Sequence, residues 1–215
     1  IFKQHLSRAS PRFFVTNTGN ANAGTGEQGI ADALQTCETL ALAAGVDSNQ
    51  VMPFSTGVIG EPLPMDRLLG GLPKALANLS EQAWSEAADG ILTTDTRPKG
   101  GSLKYPAGDA QVTITGISKG SGMIKPNMAT MLGYAATDAQ VDAELLQRAL
   151  RLVANKSFNR ITVDSDTSTN DAVILVATGA SGIHIDESNF EAFVVELETV
   201  FIELTQSFIL YAELA

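Results

Sequence analysis

The feature that most constrains the fold is the apolar pattern from Glu187 to Leu210. Large apolar side chains recur there at helical spacing along one side, which predicts a long amphipathic helix. The members of that apolar side are Phe190, Phe193, Val194, Leu197, Phe201, Leu204 and Phe208. Such a helix buries its apolar side against another layer of secondary structure.

Strand and helix patterns alternate along the rest of the chain. The predicted strands are Arg12 to Asn17, Ile91 to Asp95, Val112 to Ile117, Arg160 to Val163 and Ala172 to Ala177. The other predicted helices follow Thr25, with Ile30, Leu34, Cys37 and Ala41 on one face, and cover Leu68 to Leu79, Ser80 to Ala88 and Thr137 to Asn155. Thr25 and Gln28 have the spacing of a capping box. The predicted class is therefore α/β or α+β, built in layers.

Charge and composition exclude several classes of function. The 215 residues are 44% hydrophobic and carry a net charge of −10, with only 14 lysines and arginines. This balance opposes binding to nucleic acid, which requires clustered basic residues. The single cysteine, Cys37, cannot form an internal disulfide and suits a reducing cytosol.

With no apolar stretch long enough for a membrane span and no signal-peptide pattern, we expect a cytoplasmic protein that binds no membrane. Because Ile1 is not a natural start, the sequence is expected to begin inside a longer precursor.

Most polar motifs of the chain favour ordinary structural roles. His5, His184 and Cys37 do not form a zinc-type pattern. The glycine-rich stretch from Asn17 to Gly29 lacks the Gly-Lys-Ser/Thr ending of a phosphate-binding loop, so a tight strand-to-helix loop is the preferred interpretation. The stretch DSDTSTND, Asp164 to Asp171, carries oxygen ligands for a hard cation but lacks calcium-loop spacing, which favours a polar turn.

The segment KGSGMIKPNMATML, Lys119 to Leu132, allows a different chemistry. Two glycines and a proline precede Ala129 and Thr130. A threonine hydroxyl that attacks the preceding carbonyl converts an amide into an ester, and water then releases a threonine with a free α-amine. That amine has a pKa of about 7.7 to 8.0 and can act as the base of its own hydroxyl. The residues alone leave this possibility open beside a second one, an ordinary glycine turn with core methionines.

Five long motifs in order decide between these interpretations. They are NTGNANAGTGEQG, FSTGVIGEPLPMDRL, TTDTRPK, KGSGMIKPNMATML and VDSDTSTNDAV. In order and approximate spacing they resemble the ornithine acetyltransferase family, also called the glutamate N-acetyltransferase or ArgJ family. The resemblance covers about residues 12 to 180.

The resemblance implies roles for individual residues. It implies autocatalytic cleavage between Ala129 and Thr130, after which Thr130 is the nucleophile that carries acetyl from N2-acetylornithine to glutamate in a ping-pong cycle of arginine biosynthesis. The implied oxyanion hole is formed by the Thr56 hydroxyl and the Gly57 amide. The other implied substrate-binding residues are Thr93, Lys119 and Glu213, and Lys119 also serves catalysis, as a cation for a substrate carboxylate or near the Thr130 amine.

The resemblance also implies an assembly and leaves rival activities. The expected fold is a layered sandwich of β-sheets between helices, an ArgJ-like or DmpA-like autoprocessing fold. Residues 1–129 would form part of an α chain and residues 130–215 part of a β chain, each incomplete at its outer end, in an α2β2 heterotetramer. No metal and no cofactor are expected, although acetyl-CoA is a possible acetyl donor. The alternatives are an N-terminal-nucleophile hydrolase or aminopeptidase, and an inactive amino-acid-binding relative.

Overall fold

The computed structural model describes residues 1–121, 131–162 and 169–212. The chain forms two compact units, Ile1–Ala83 and Trp84–Ala215. The predicted α and β chains would arise from cleavage of the peptide bond between Ala129 and Thr130. That division differs from the two compact units, and it stays a prediction.

The first unit contains a pair of parallel strands with helices packed around it. Its elements are α1 (Phe2–Leu6), β1 (Phe13–Asn20), α2 (Gly26–Ala44), β2 (Val51–Val58) and α3 (Met65–Ala77). The register of β1 and β2 runs from Phe13 opposite Val51 to Asn20 opposite Val58. Parallel strands need a crossover, and α2 provides it. The core of this unit is Cys37, Leu40, Ala41, Val51 and Leu72.

Two details of the predicted helix α2 are wrong. Thr25 is the N-cap residue, but no side chain caps the helix there. The Thr25 hydroxyl instead donates to Asn22 Oδ1, and the Gln28 amide donates to Asp32 Oδ1. Ile30 is 55% exposed, whereas Asp32 is buried. The inward face therefore agrees with the predicted one at Cys37 and Ala41 and differs from it at Ile30, and it includes Asp32, which accepts the Gln28 amide.

The second unit contains a mixed sheet. Its elements are α4 (Trp84–Gly90), β3 (Lys99–Ala107), β4 (Ala110–Lys119), β5 (Leu132–Thr137), β6 (Gln140–Val141), α5 (Ala143–Lys156), β7 (Ala172–Ala177), β8 (His184–Ile185) and α6 (Phe190–Ala212). In the described part of the unit, four strands form one sheet in the order β3-β4-β5-β7, and β6 pairs with β8. β4 is antiparallel to both β3 and β5, whereas β5 and β7 are parallel.

Helices cover both faces of this sheet. Neighbouring residues of a strand point to opposite faces. Val112 and Ile114 of β4 join the core that α5 and α6 complete, and an added Cβ at Gly116 would lie 3.0 Å from Leu204 Cδ1 of α6. Ile117, of the other parity, packs with Ala88 of α4. The expected layered α/β arrangement is therefore present, and all of the predicted apolar residues of α6 are buried.

Several predicted boundaries in this unit are wrong. Ile91 to Asp95 is a turn rather than a strand, and the sheet instead uses β3, which was not predicted. The predicted helix from Thr137 begins only at Ala143, because β5 and β6 take the preceding residues. Ser80 accepts the Gln82 amide in a turn and does not cap α4, which starts at Trp84. The strand predicted from Arg160 to Val163 is not present at its first three residues. Arg160 ends a 3₁₀ turn, and the next two residues belong to no strand.

Candidate active site

Lys119 lies at the end of β4, directly opposite Leu132, the first residue of β5. Its side chain is buried, with the residue only 2% exposed. Lys119 Nζ donates a hydrogen bond to Thr93 Oγ1 at 3.1 Å. Thr93 lies in the exposed turn that follows α4. The fold thus brings together two residues of the predicted substrate-binding set, far apart in sequence.

Asp95 connects that turn to the end of β4. Its carboxylate Oδ1 accepts the Lys99 ammonium at 2.5 Å and the Gly120 amide at 2.6 Å. Its Oδ2 accepts the Thr93 amide at 3.4 Å. The Asp95 and Lys99 side chains are 0% and 1% exposed, and Lys99 Nζ also lies 5.2 Å from the centre of the Phe208 ring. One buried carboxylate therefore holds Lys99 in the sheet, the Thr93 turn and the backbone just after Lys119.

Asp95 and Lys119, two buried charged residues of this network, have shifted pKa values. Burial, the largest influence, raises the pKa of Asp95, but the hydrogen bonds from Lys99 and Gly120 and the Lys99 charge outweigh it, so the pKa lies below its ordinary value. Burial lowers the pKa of Lys119, and the charges of Asp95 and Asp171 oppose this effect only in part. A lysine with a lowered pKa exchanges protons more readily near neutral pH than an exposed one.

Asp171 fixes the residue that precedes β5. Its Oδ1 accepts the Met131 amide at 2.8 Å, while the Ala172 amide donates to the Met131 carbonyl at 3.1 Å. β5 and β7 then continue as parallel strands from Leu132 opposite Ala172. Both backbone polar groups of Met131 are therefore held by two adjacent residues.

In the first unit, Thr56 and Gly57 lie near the end of β2. Thr56 is 5% exposed. Gly57 has φ +132° and lies opposite Gly19, so an added Cβ would fall 2.3 Å from the Gly19 carbonyl carbon and oxygen. Only glycine fits this close approach of two backbones. The end of β2 is also held by the hydrogen bond from the Asn22 amide to Ser55 Oγ, at 2.8 Å.

Ala129, Thr130 and Glu213 lie outside the described residues. Most of the stretch Asp164 to Asp171 lies outside them as well, although its last residue is the Asp171 described above.

The sequence interpretation missed Asp95, Lys99 and Asp171. The Asp-to-Lys spacing in TTDTRPK was a usable signal, because a carboxylate and an ammonium so near in sequence pair readily in a turn. Asp171 had no such signal, because its partner Met131 is distant in sequence and becomes a neighbour only when β5 pairs with β7.

No metal site or membrane-spanning helix is present in the described part of the chain. No group of three or more histidine, cysteine, aspartate or glutamate side chains there has an arrangement suitable for a metal ion. Among the same residues, no helix has both the length and the apolar character needed to cross a membrane.

The chain is similar to known proteins over its whole length. The sequence model of the ArgJ family matches residues 1–215. Two proteins named arginine biosynthesis bifunctional protein ArgJ, from Psychrobacter arcticus and Pseudomonas syringae pv. tomato, are each 54% identical to it over 96% and 97% of the chain. The aligned part is 52% and 53% of those proteins, so the chain spans about half the length of the curated relatives it matches.

Two solved structures share the fold. Ornithine acetyltransferase from Mycobacterium tuberculosis, solved in complex with ornithine, is 36% identical, with a TM-score of 0.54 over 59% of this chain and 67% of that one. The L-aminopeptidase D-Ala-esterase/amidase of Ochrobactrum anthropi, described as a variant of the Ntn hydrolase fold, has a TM-score of 0.54 at 13% identity, over 84% of this chain and 63% of that one. At 13% identity the second likeness concerns the fold alone. Because the family match covers all 215 residues, the chain belongs to the ArgJ family.

Proposed function

We propose that this chain is part of an acetyltransferase that cleaves itself between Ala129 and Thr130 and then uses Thr130 to move acetyl groups. The Thr130 hydroxyl attacks the Ala129 carbonyl carbon, the peptide nitrogen leaves as the α-amine of Thr130, and water hydrolyses the resulting ester. The freed amine serves as the base for the same hydroxyl. Family membership supports this proposal.

The single observation that carries the proposal is the position of Lys119. It is buried opposite Leu132, which is two residues beyond Thr130 in sequence, and it binds Thr93. A buried cation that contacts a substrate-binding threonine suits a substrate carboxylate, which every α-amino acid carries. By resemblance, the Thr56 hydroxyl and the Gly57 amide are proposed as oxyanion donors, and Glu213 as a further substrate ligand.

The proposed reaction is acetyl transfer from N2-acetylornithine to glutamate. The Thr130 oxygen attacks the acetyl carbonyl and ornithine leaves with its free amine. The glutamate amine then attacks the acetyl ester and restores the hydroxyl. We propose that this occurs in the cytoplasm in an α2β2 heterotetramer, with no cofactor and with acetyl-CoA as an additional donor.

Two measurements test the proposal on the longest natural polypeptide that contains this chain. Intact mass should show two fragments that meet at Ala129 and Thr130, and T130A should remain uncut and unable to transfer acetyl. An active protein in one uncut piece would exclude the mechanism.

Acetylornithine with and without glutamate separates transfer from hydrolysis. The transferase should release ornithine faster when glutamate is present and should form acetylglutamate. Release of acetate at one rate in both mixtures would support the hydrolase or aminopeptidase alternative instead. Binding of amino acids without any turnover would support the inactive relative.

A further inference from the structure

Two carboxylates bind the backbone at the two ends of the segment from Gly120 to Met131, which contains the proposed scissile bond. Asp95 accepts the Gly120 amide at 2.6 Å, and Asp171 accepts the Met131 amide at 2.8 Å. Gly120 has φ +149°, a backbone conformation that other residues rarely adopt. The chain thus leaves β4 and enters β5 through amides that bind to carboxylates. Such charge-assisted hydrogen bonds are stronger and shorter than neutral ones.

The Asp171 bond acts on the backbone atom that follows Thr130, the residue proposed to carry the nucleophile. The Met131 nitrogen, which Asp171 binds, is covalently bonded to the Thr130 carbonyl carbon. The Met131 carbonyl is held in turn by the Ala172 amide, and Met131 is only 2% exposed. A residue fixed at both of its backbone polar groups restricts where its covalent neighbour can go.

We propose that Asp171 is a positioning residue for the Thr130 nucleophile, holding Met131 in place and placing a negative charge near Lys119. This inference rests on the proposed role of Thr130. It assigns a function in the reaction to Asp171, which is the last residue of the stretch Asp164 to Asp171. The sequence alone favours a polar turn for that stretch. Asp95 performs the corresponding task at Gly120, but it also neutralises the buried Lys99, so its removal would disturb folding as well.

Asp138 offers a matched control in the same sheet. Its Oδ1 accepts the Thr113 amide at 2.8 Å, beside the other end of β5, and it is half-buried like Asp171. The bond type and length are therefore the same and both residues are partly buried, but Asp138 lies at the end of β5 away from Met131. Loss of either bond should affect stability, and only loss of the Asp171 bond should affect the reaction.

The experiment compares D171A and D138A in the full natural polypeptide, with cleavage followed by intact mass after cell-free synthesis. We expect D171A to slow cleavage about 10- to 100-fold, the usual effect of losing a hydrogen bond to a charged group, and D138A to stay within about threefold of the wild type. For acetyl transfer by any cleaved D171A, the loss should fall on kcat rather than KM. Equal cleavage rates in D171A and wild type, or equal slowing in D171A and D138A, would overturn the inference.

A second variant, D171N, keeps an acceptor oxygen but removes the charge, so it serves if D171A does not fold. Among the described residues, the charges that act on Lys119 are those of Asp95, Asp171 and Lys99. Loss of the Asp171 charge lowers the pKa of Lys119 further, so the alkaline limb of the transfer rate should move to lower pH in D171N. If the alkaline limb of the transfer rate is unchanged in folded D171N, the proposed role of the Asp171 charge is contradicted.

Failure of this inference can be told apart from failure of the proposed function. A wild-type protein that is never cut at Ala129, or a T130A variant that is still cut there, overturns both. A wild-type protein that is cut normally, together with D171A and D171N that behave like it, overturns only the role of Asp171.

Discussion

Gly57 shows how closely one residue can be constrained by its backbone neighbour. Its φ of +132° is rare for any residue with a Cβ, and the Gly19 carbonyl occupies the space that a Cβ would need. The same residue is a proposed oxyanion donor. A substitution there therefore disturbs the backbone and the proposed chemistry together.

We predict that Gly57→Ala destabilises the protein and lowers activity. The strained backbone alone should cost about 1–3 kcal/mol, and displacement of an oxyanion donor should lower kcat about 100- to 1000-fold. Urea unfolding and steady-state kinetics measure the two effects. Gly70→Ala is the matched control: Gly70 is an exposed glycine inside α3 with no neighbour near an added Cβ, so alanine should stabilise it by about 0.5–1 kcal/mol. A Gly57→Ala protein as stable and active as the wild type would contradict the strain argument.

The proposed functional residues divide into those that sequence can indicate and those that need the fold. Thr56, Gly57, Thr93 and Lys119 stand in motifs that resemble those of the ArgJ family, and that resemblance implies their proposed roles. Asp171 also stands in one of these motifs, but the motif does not indicate its role, since the contact with Met131 depends on pairing between distant strands. Side chains that act through long-range backbone contacts leave no local pattern.

At the scale of elements, helices and strands with a uniform apolar pattern were predicted well, whereas a strand that contains glycines and a proline was not. Strand β7, a continuous apolar run, was predicted at its observed bounds. Every apolar residue predicted for α6 is buried, because that side of the helix repeats one period along its length, although the buried Val200 was not predicted. Strand β3 was missed, since KGGSLKYPA contains two glycines and a proline, which disfavour strands. Its pairing with β4 along the whole strand overrides that local preference.

We predict that Phe201→Ala in α6 destabilises the second unit strongly. Phe201 is 0% exposed and packs edge-on against Phe158, with ring centres 5.4 Å apart. Loss of a fully buried phenylalanine costs about 3–5 kcal/mol, which urea unfolding would detect as a lower midpoint. Val195→Ala on the same helix, at 60% exposure, should change stability by no more than about 0.5 kcal/mol. Similar losses in the two variants would mean that α6 is not packed as described.

At the scale of the whole molecule, the buried pair of Asp95 and Lys99 links stability to pH. The Asp95 side chain is fully buried, and its pKa in the folded protein lies below the ordinary value of 3.8. A carboxylate with a lowered pKa stabilises the fold above its ordinary pKa, and this contribution disappears as the pH falls through the folded value.

We predict that Asp95→Asn costs about 3–5 kcal/mol at pH 7, because it leaves Lys99 as an uncompensated buried charge. The gap in stability between wild type and variant should narrow as the pH falls below about 4. Urea midpoints of both proteins from pH 7 downward measure this gap. Glu187→Gln, which removes the exposed pair with Arg148, is the control and should have a much smaller effect at every pH. A gap for Asp95→Asn that stays constant on acidification would contradict the assignment.

The order of strands in the mixed sheet has a consequence for the protein after the proposed cut. β4 belongs to the polypeptide before Thr130 and β5 to the one after it, yet they pair from Lys119 opposite Leu132 to Ile114 opposite Thr137. α6, from the later polypeptide, also packs on β4 at Gly116. Breaking the peptide bond would therefore leave a nicked protein whose pieces stay assembled as one fold. If the same two pieces are expressed as separate polypeptides, they should associate by completing this sheet.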